Sequence, residues 1–114
     1  MIEIVIPNWR PASANRLMGV HWSTKHKLKK ADKITVGLNC KGIRQATGKR
    51  RVTVEMCYKH PQKEYDKDNV WKSLLDALVQ NAMLIDDKPE FCEHGEVTQI
   101  KTTFTQTKII LEDI

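Results

Sequence analysis

The residues best suited to chemistry in this sequence are Asp66, Asp68, Asp76, Asp86 and Asp87, with Lys72 among them. Asp66 and Asp68 lie two apart in Tyr65-Asp66-Lys67-Asp68-Asn69, an extended approach to a helix. Side chains at i and i+2 of an extended chain point the same way, so both carboxylates can address one point. Lys72 follows Asp68 by one helical turn and Asp76 follows Lys72 by another, so the three line one edge of that helix. The turn Ile85-Asp86-Asp87 can return one or both of its carboxylates to the same neighbourhood if the chain doubles back. Converging carboxylates repel and lose hydration, which folding tolerates only with a cation or shared protons between them. Hard oxygen ligands that retain water suit Mg2+, with Mn2+ as a substitute. Such an ion activates water and stabilises charge on a phosphodiester in transit. Lys72 can neutralise a phosphate or orient a carboxylate.

Each piece also has an ordinary structural reading. Asp-x-Asp-Asn before a helix is a common cap, Lys72 and Asp76 can be a surface ion pair, and Asp-Asp is frequent at turns. A calcium loop of the EF-hand type is excluded. After Asp66 and Asp68, Val70 and Trp71 stand where a ligand and a glycine belong.

The elements that must position these groups are legible from periodicity. Met1–Ile6 reads as a β-branched strand ended by Pro7, followed by a loop rich in Pro, Asn and Ser. Ser23 to about Cys40 reads as a helix, with Leu28, Ala31, Ile34, Thr35 and Leu38 as its apolar stripe and Gly37 weakening the last turn. Lys41 to Arg50 is a polar loop. Arg51–His60 alternates as a half-buried strand ended by Pro61. Asn69 to Ala82 is the clearest helix, with Trp71, Leu74, Leu75, Leu78 and Ala82 on one stripe and Asp66 or Asp68 at its start. Glu96–Thr103 and Lys108–Leu111 read as two strands around a Thr/Gln turn, expected to pair as a hairpin. The order strand, helix, strand, helix, strand, strand predicts an α+β fold, a small mixed sheet packed with two main helices, in a single domain over residues 1–114.

The chain has 114 residues, 40% apolar and 29% charged, enough for one core. The net charge of +5 and the isoelectric point near 9.2 favour acidic partners, nucleic acid first. No stretch approaches the length of a membrane span and the apolar N-terminus lacks the features of a signal peptide, so no membrane is expected and the cytoplasm is the default. The three cysteines, Cys40, Cys57 and Cys92, are widely spaced with no Cys-x-x-Cys pair, and reduced thiols are the expectation. Lys25, Lys27, Lys29, Lys30 and Lys33, with His21 and His26, form the densest basic region, and Lys49, Arg50 and Arg51 form a second patch. Phosphate contacts need such charge. Arg10, Arg16 and Trp22 are further candidates for contact near a branch point, whereas Trp71, on the apolar stripe, is expected in the core. His60 and His94 are read as surface residues rather than general bases.

Taken together, Asp66-x-Asp68-Asn69-x-x-Lys72-x-x-x-Asp76-Ala77-Leu78 followed by Asp86-Asp87 resembles the signature of RusA-type Holliday junction resolvases. Pro11 to Arg16, with Ser13 and Asn15, is similar to that family's N-terminal loop, with the second proline less clearly placed. The resemblance covers nearly the whole chain and implies a RusA-like fold and a magnesium-dependent homodimer that nicks four-way junctions symmetrically. It implies Asp66, Asp68 and Asp87 as metal ligands with Asp86 beside them, Lys72 as an essential lysine, and less certain roles for Asn69 and Asp76. It further implies a bacterial cell or one infected by phage as the setting. Resolution needs two opposed cuts, and one carboxylate cluster per chain fits a two-fold dimer. The alternative is a branched-DNA-binding protein of the same fold that is non-catalytic or selects another substrate.

Overall fold

The computed structural model describes residues 1–11, 22–60 and 62–114, apart from the side chains of Trp22 and Lys25. The elements run β1 (Ile2–Pro7), α1 (Trp22–Asn39), β2 (Arg50–Lys59), α2 (Lys67–Gln80), β3 (Cys92–Thr102) and β4 (Gln106–Asp113). The fold is α+β: the strands form one mixed sheet in the order β1-β4-β2-β3, with the two helices packed on it.

The alternation of β2 sets the sheet. Val52, Val54 and Met56 are fully buried, and Arg51, Thr53 and Glu55 face the opposite side, half-buried. Ile4 and Ile6 of β1 and Thr107, Ile109 and Leu111 of β4 complete the inner face. On the outer face Arg51 pairs with Glu93 and Glu112, and Lys108 with Glu3 and Glu55. Such exposed pairs add little stability.

The last two strands are not a hairpin. β3 runs parallel to β2, and β4 lies antiparallel between β1 and β2. Residues 103–105 carry the chain across the end of β2, a span of two strand spacings, or about 10 Å, which so short a link can reach. Local alternation says which side chains share a face but not which strand is the neighbour. Here the apolar inner row of β2 is best covered with a strand on each side.

β3 carries a bulge. Arg50, Arg51 and Val52 pair with Cys92, Glu93 and His94, but Val54 pairs with Val97, so β3 has one residue more than β2 across the irregularity. Gly95 permits it. A Cβ there would stand 2.4 Å from Thr53 Oγ1 and 2.8 Å from the Val52 carbonyl oxygen.

The buried face of α1 differs from the expected stripe. Asp32 and Val36, with Cys40 just past the helix end, point inward, whereas Ile34 and Leu38 are 52% and 61% exposed. Both rows have helical spacing. Contacts outside the helix decide between them, because the Trp9 indole N–H donates to Asp32 Oδ1 at 3.2 Å. Trp9 is thus a structural residue, and its carbonyl accepts the Thr107 hydroxyl at 2.7 Å. Gly37 also has a tertiary reason, since a Cβ there would meet Asn81 Oδ1 at 2.7 Å. Asn81 follows the end of α2 and ties the helices together, donating from Nδ2 to the carbonyls of Lys33 and Ala77 at 3.0 and 2.8 Å. α2 therefore ends before Ala82, which has φ +61°.

Candidate functional site

α2 is held by an apolar stripe comprising Val70, Trp71, Leu74, Leu75, Ala77 and Leu78, all buried. Trp71 is 8% exposed, as expected of a core residue. The stripe turns the opposite edge to solvent, where Asp68, Lys72 and Asp76 lie exposed at one-turn intervals. Asp66 occupies the N-cap position, yet its carboxylate makes no capping hydrogen bond. Asp68, in the first turn, is favoured there by the positive end of the helix dipole. Asn69 is half-buried on the same turn.

The approach to α2 is anchored by three contacts. Gln99 of β3 pairs through its side-chain amide with the Tyr65 backbone. Arg10 stacks over the Tyr65 ring at 4.0 Å and donates from Nη1 to the Lys63 carbonyl at 2.7 Å. These contacts commit Arg10 to structure.

Asp76 joins two parts of the surface. It accepts from Gln80 Nε2 at 3.3 Å and, with Gln80, lines a groove whose other wall is His26, Lys29, Lys30 and Lys33 of α1. Its charge also reaches Asp87. Asp87 donates its backbone N–H to Asp86 Oδ1 at 2.7 Å. A side-chain hydrogen bond between the two carboxyls holds Asp87 above the usual aspartate range, with desolvation and the charges of Asp86 and Asp76 adding to it. That side-chain hydrogen bond, together with the backbone N–H of Asp87, draws Asp86 below that range. Asp87 in turn lines an open pocket of about 340 Å³ with Lys49, Pro89, Cys92, Glu93 and His94. Cys92 is buried, which pushes its thiol up and leaves it a poor nucleophile.

The structure therefore brings Asp86 and Asp87 together, with Asp76 nearby. It does not gather Asp66, Asp68 and Asp87 around one point: among the described residues no three His, Cys, Asp or Glu side chains form a metal-holding group. Exposed carboxylates stay hydrated, and Asp86 and Asp87 offset part of their repulsion through the hydrogen bond between their side chains. The donor chemistry still suits a hard, hydrated cation, because every candidate is a carboxylate oxygen. The field at Asp87 is of the kind that a cation relieves.

Of the basic candidates, Lys27, Lys29, Lys30 and Lys33 are exposed along α1. Arg16 and the side chain of Lys25 lie outside the described residues, as do His21 and the Ser13 and Asn15 positions. Arg50 is a correction. It is fully buried, its Nε donating to Asp113 at 2.8 Å and its Nη atoms to the carbonyls of Met83 and Arg44 at 3.0 and 2.9 Å. A side chain closed off from solvent cannot meet a DNA phosphate. Arg51 is half exposed, and its guanidinium is engaged by Glu93 and Glu112. Lys49 remains of that patch, beside Asp87. Sequence reasoning passed over Lys49 and His94 as companions of Asp87, because no local pattern signals their meeting.

The site that results is an acidic helix edge and acidic turn between two sets of basic side chains, on a small α+β domain. The chain matches no protein-family model, and no curated protein is significantly similar to it. Among the described residues no helix is long and apolar enough to cross a membrane.

Proposed function

We propose that this protein is a magnesium-dependent endodeoxyribonuclease that acts on branched DNA, with the Holliday junction as substrate, working as a homodimer in the manner of the RusA-type resolvases it resembles. One observation carries the reading. Asp76 lines the lysine-rimmed groove of α1 and its charge acts on Asp87, so a polyanion seated on the basic rim would lie near carboxylates. A phosphodiester needs cationic contacts for binding and carboxylate-held metal for hydrolysis, and the surface offers candidates for both.

In this reading Lys29, Lys30 and Lys33 follow the DNA backbone, and exposed Lys72 contacts a phosphate between Asp68 and Asp76. Asp87, with Asp66 and Asp68, would hold the metal once the ion draws together the three carboxylates, which stand apart in this structure. Bound there, magnesium would supply an activated water and neutralise charge building on the phosphate. Asp66 has no capping hydrogen bond to break before taking part. A homodimer would give the two opposed sites that symmetric nicking requires.

A second reading is a branched-DNA-binding module without catalysis; among the described residues no three His, Cys, Asp or Glu side chains form a metal-holding group. Incubation of a synthetic four-way junction with Mg2+ or with EDTA separates the two. The nuclease reading expects paired nicks with magnesium, none with EDTA, and loss of nicking but not of binding in Asp68→Asn. Binding without product under varied divalent metals overturns it.

A further inference from the structure

The bulge in β3 reverses the strand's inward phase. Cys92 faces the helices before it and Val97 after it, both buried, so the inner row changes from even to odd numbers across Gly95. Bulges are rare between parallel strands and concentrate at sheet edges, where β3 lies, and beside active sites, where they re-aim a side chain. The side chain on the last residue before this one is His94. Its ring stacks on Trp71 of α2, with centroids 4.5 Å apart and planes inclined by 17°. Trp71 is seated in the core, so it gives the imidazole a fixed backing. His94 itself is exposed and lines the pocket with Lys49 and Asp87.

A stacked imidazole keeps its nitrogens at the rim, in the ring plane, while one face is covered. Two donors, His94 and Lys49, thus stand in one pocket with the Asp87 carboxylate. We propose that His94 is a catalytic residue of this site, donating an imidazole N–H to an oxygen of the scissile phosphodiester in the Asp87 pocket. The proposal rests on the nuclease reading. In hydrolysis, water gives up a proton to solvent as its oxygen bonds to phosphorus, the bond from phosphorus to the leaving sugar oxygen breaks with its electron pair, and that oxygen takes a proton from solvent. A hydrogen bond from His94 to that oxygen or to a non-bridging one stabilises the charge as it develops. The bland role for the ring is to cover Trp71. The two roles make different demands, since covering needs only a ring and contact needs a nitrogen.

The experiment uses the full chain as wild type, His94→Phe, His94→Gln and Asp87→Asn. Thermal melting checks folding, and junction binding is measured in EDTA. Single-turnover nicking is measured in Mg2+, and the imidazole nitrogen resonances of His94 are followed while uncut junction is added in EDTA. Phe keeps the ring and loses the donor; Gln keeps a donor and loses the ring. The expected result is a nicking rate reduced roughly tenfold or more in His94→Phe. His94→Gln should retain more activity, binding should be nearly unchanged in both, and the wild-type resonances should shift on adding junction. Nicking by His94→Phe at the wild-type rate overturns the proposal while leaving the nuclease reading intact. If the wild type binds junctions but never nicks, the nuclease reading fails and the catalytic role falls with it. The His94 resonances then decide separately whether the phosphate contact exists, and unmoved resonances remove that too.

Discussion

Gln99 and Tyr65 form a reciprocal pair across the molecule: the Tyr65 N–H donates to Gln99 Oε1 and Gln99 Nε2 donates to the Tyr65 carbonyl, both at 2.7 Å. A side-chain amide here does what a neighbouring strand would do, and it fixes the extended chain immediately before Asp66. Gln99→Leu removes both partners from a part-buried backbone. The expected loss is about 1–3 kcal/mol in urea denaturation. Junction nicking should slow more than binding, because the carboxylates of Asp66 and Asp68 lose their anchor. An unchanged unfolding midpoint would show that the pair is incidental.

The α1 groove makes a prediction about salt. Each phosphate that a lysine neutralises adds about −0.9 to the slope of log K against log salt. Changing Lys29, Lys30 and Lys33 together to Ala should flatten that slope for a four-way junction in proportion to the number of phosphates these lysines neutralise. Because all three are exposed, the melting temperature should barely move. A slope equal to that of the wild type would place DNA elsewhere.

Asp87 carries like charge from Asp86 and Asp76. A ligand that binds only the folded state raises its stability by mass action. Millimolar Mg2+ should therefore raise the melting temperature of the wild type, and Asp87→Asn should lose most of that rise. Asp76→Asn should lose a smaller part. Equal shifts in all three would mean that the ion binds at another place.

Asp113 links pH to stability. The Arg50 and Arg44 guanidiniums that hydrogen-bond to it hold its carboxyl below the ordinary aspartate value. A carboxyl depressed in the folded state contributes stability above its unfolded value of about 3.9. That contribution disappears as pH falls through the depressed folded value. Asp113→Asn should thus be less stable than the wild type at pH 7, and the gap should close as pH falls through the depressed folded value. Arg50→Met should cost on the order of 2–4 kcal/mol at neutral pH, because it strands the carbonyls of Met83 and Arg44. The folded fraction of that variant should bind junctions normally. Fluorescence-monitored unfolding across pH checks both.

What the sequence determined by itself is what depends on near neighbours along the chain. The acid edge of α2 is one case: Asp68, Lys72 and Asp76 share an edge because one helical turn separates them, and the stripe from Trp71 to Leu78 decides that this edge faces water. The inward row of β2 is another, since alternation needs no partner to be read. Tertiary structure decided whatever needed a distant partner. Ile34 and Leu38 lie outside while Asp32 and Val36 lie inside, because Trp9 and Asn81 meet α1 on that face. Arg50 is buried because Asp113 and the Met83 carbonyl close around it. β4 lies between β1 and β2, and His94 rests on Trp71, through strand pairing and a bulge at Gly95 that no periodicity announces. Periodicity is a property of a single segment, whereas burial and pairing are properties of two. The turn at Asp86 and Asp87 belongs to both kinds, since its composition is plain in the chain but its neighbours Asp76 and Lys49 are supplied by folding.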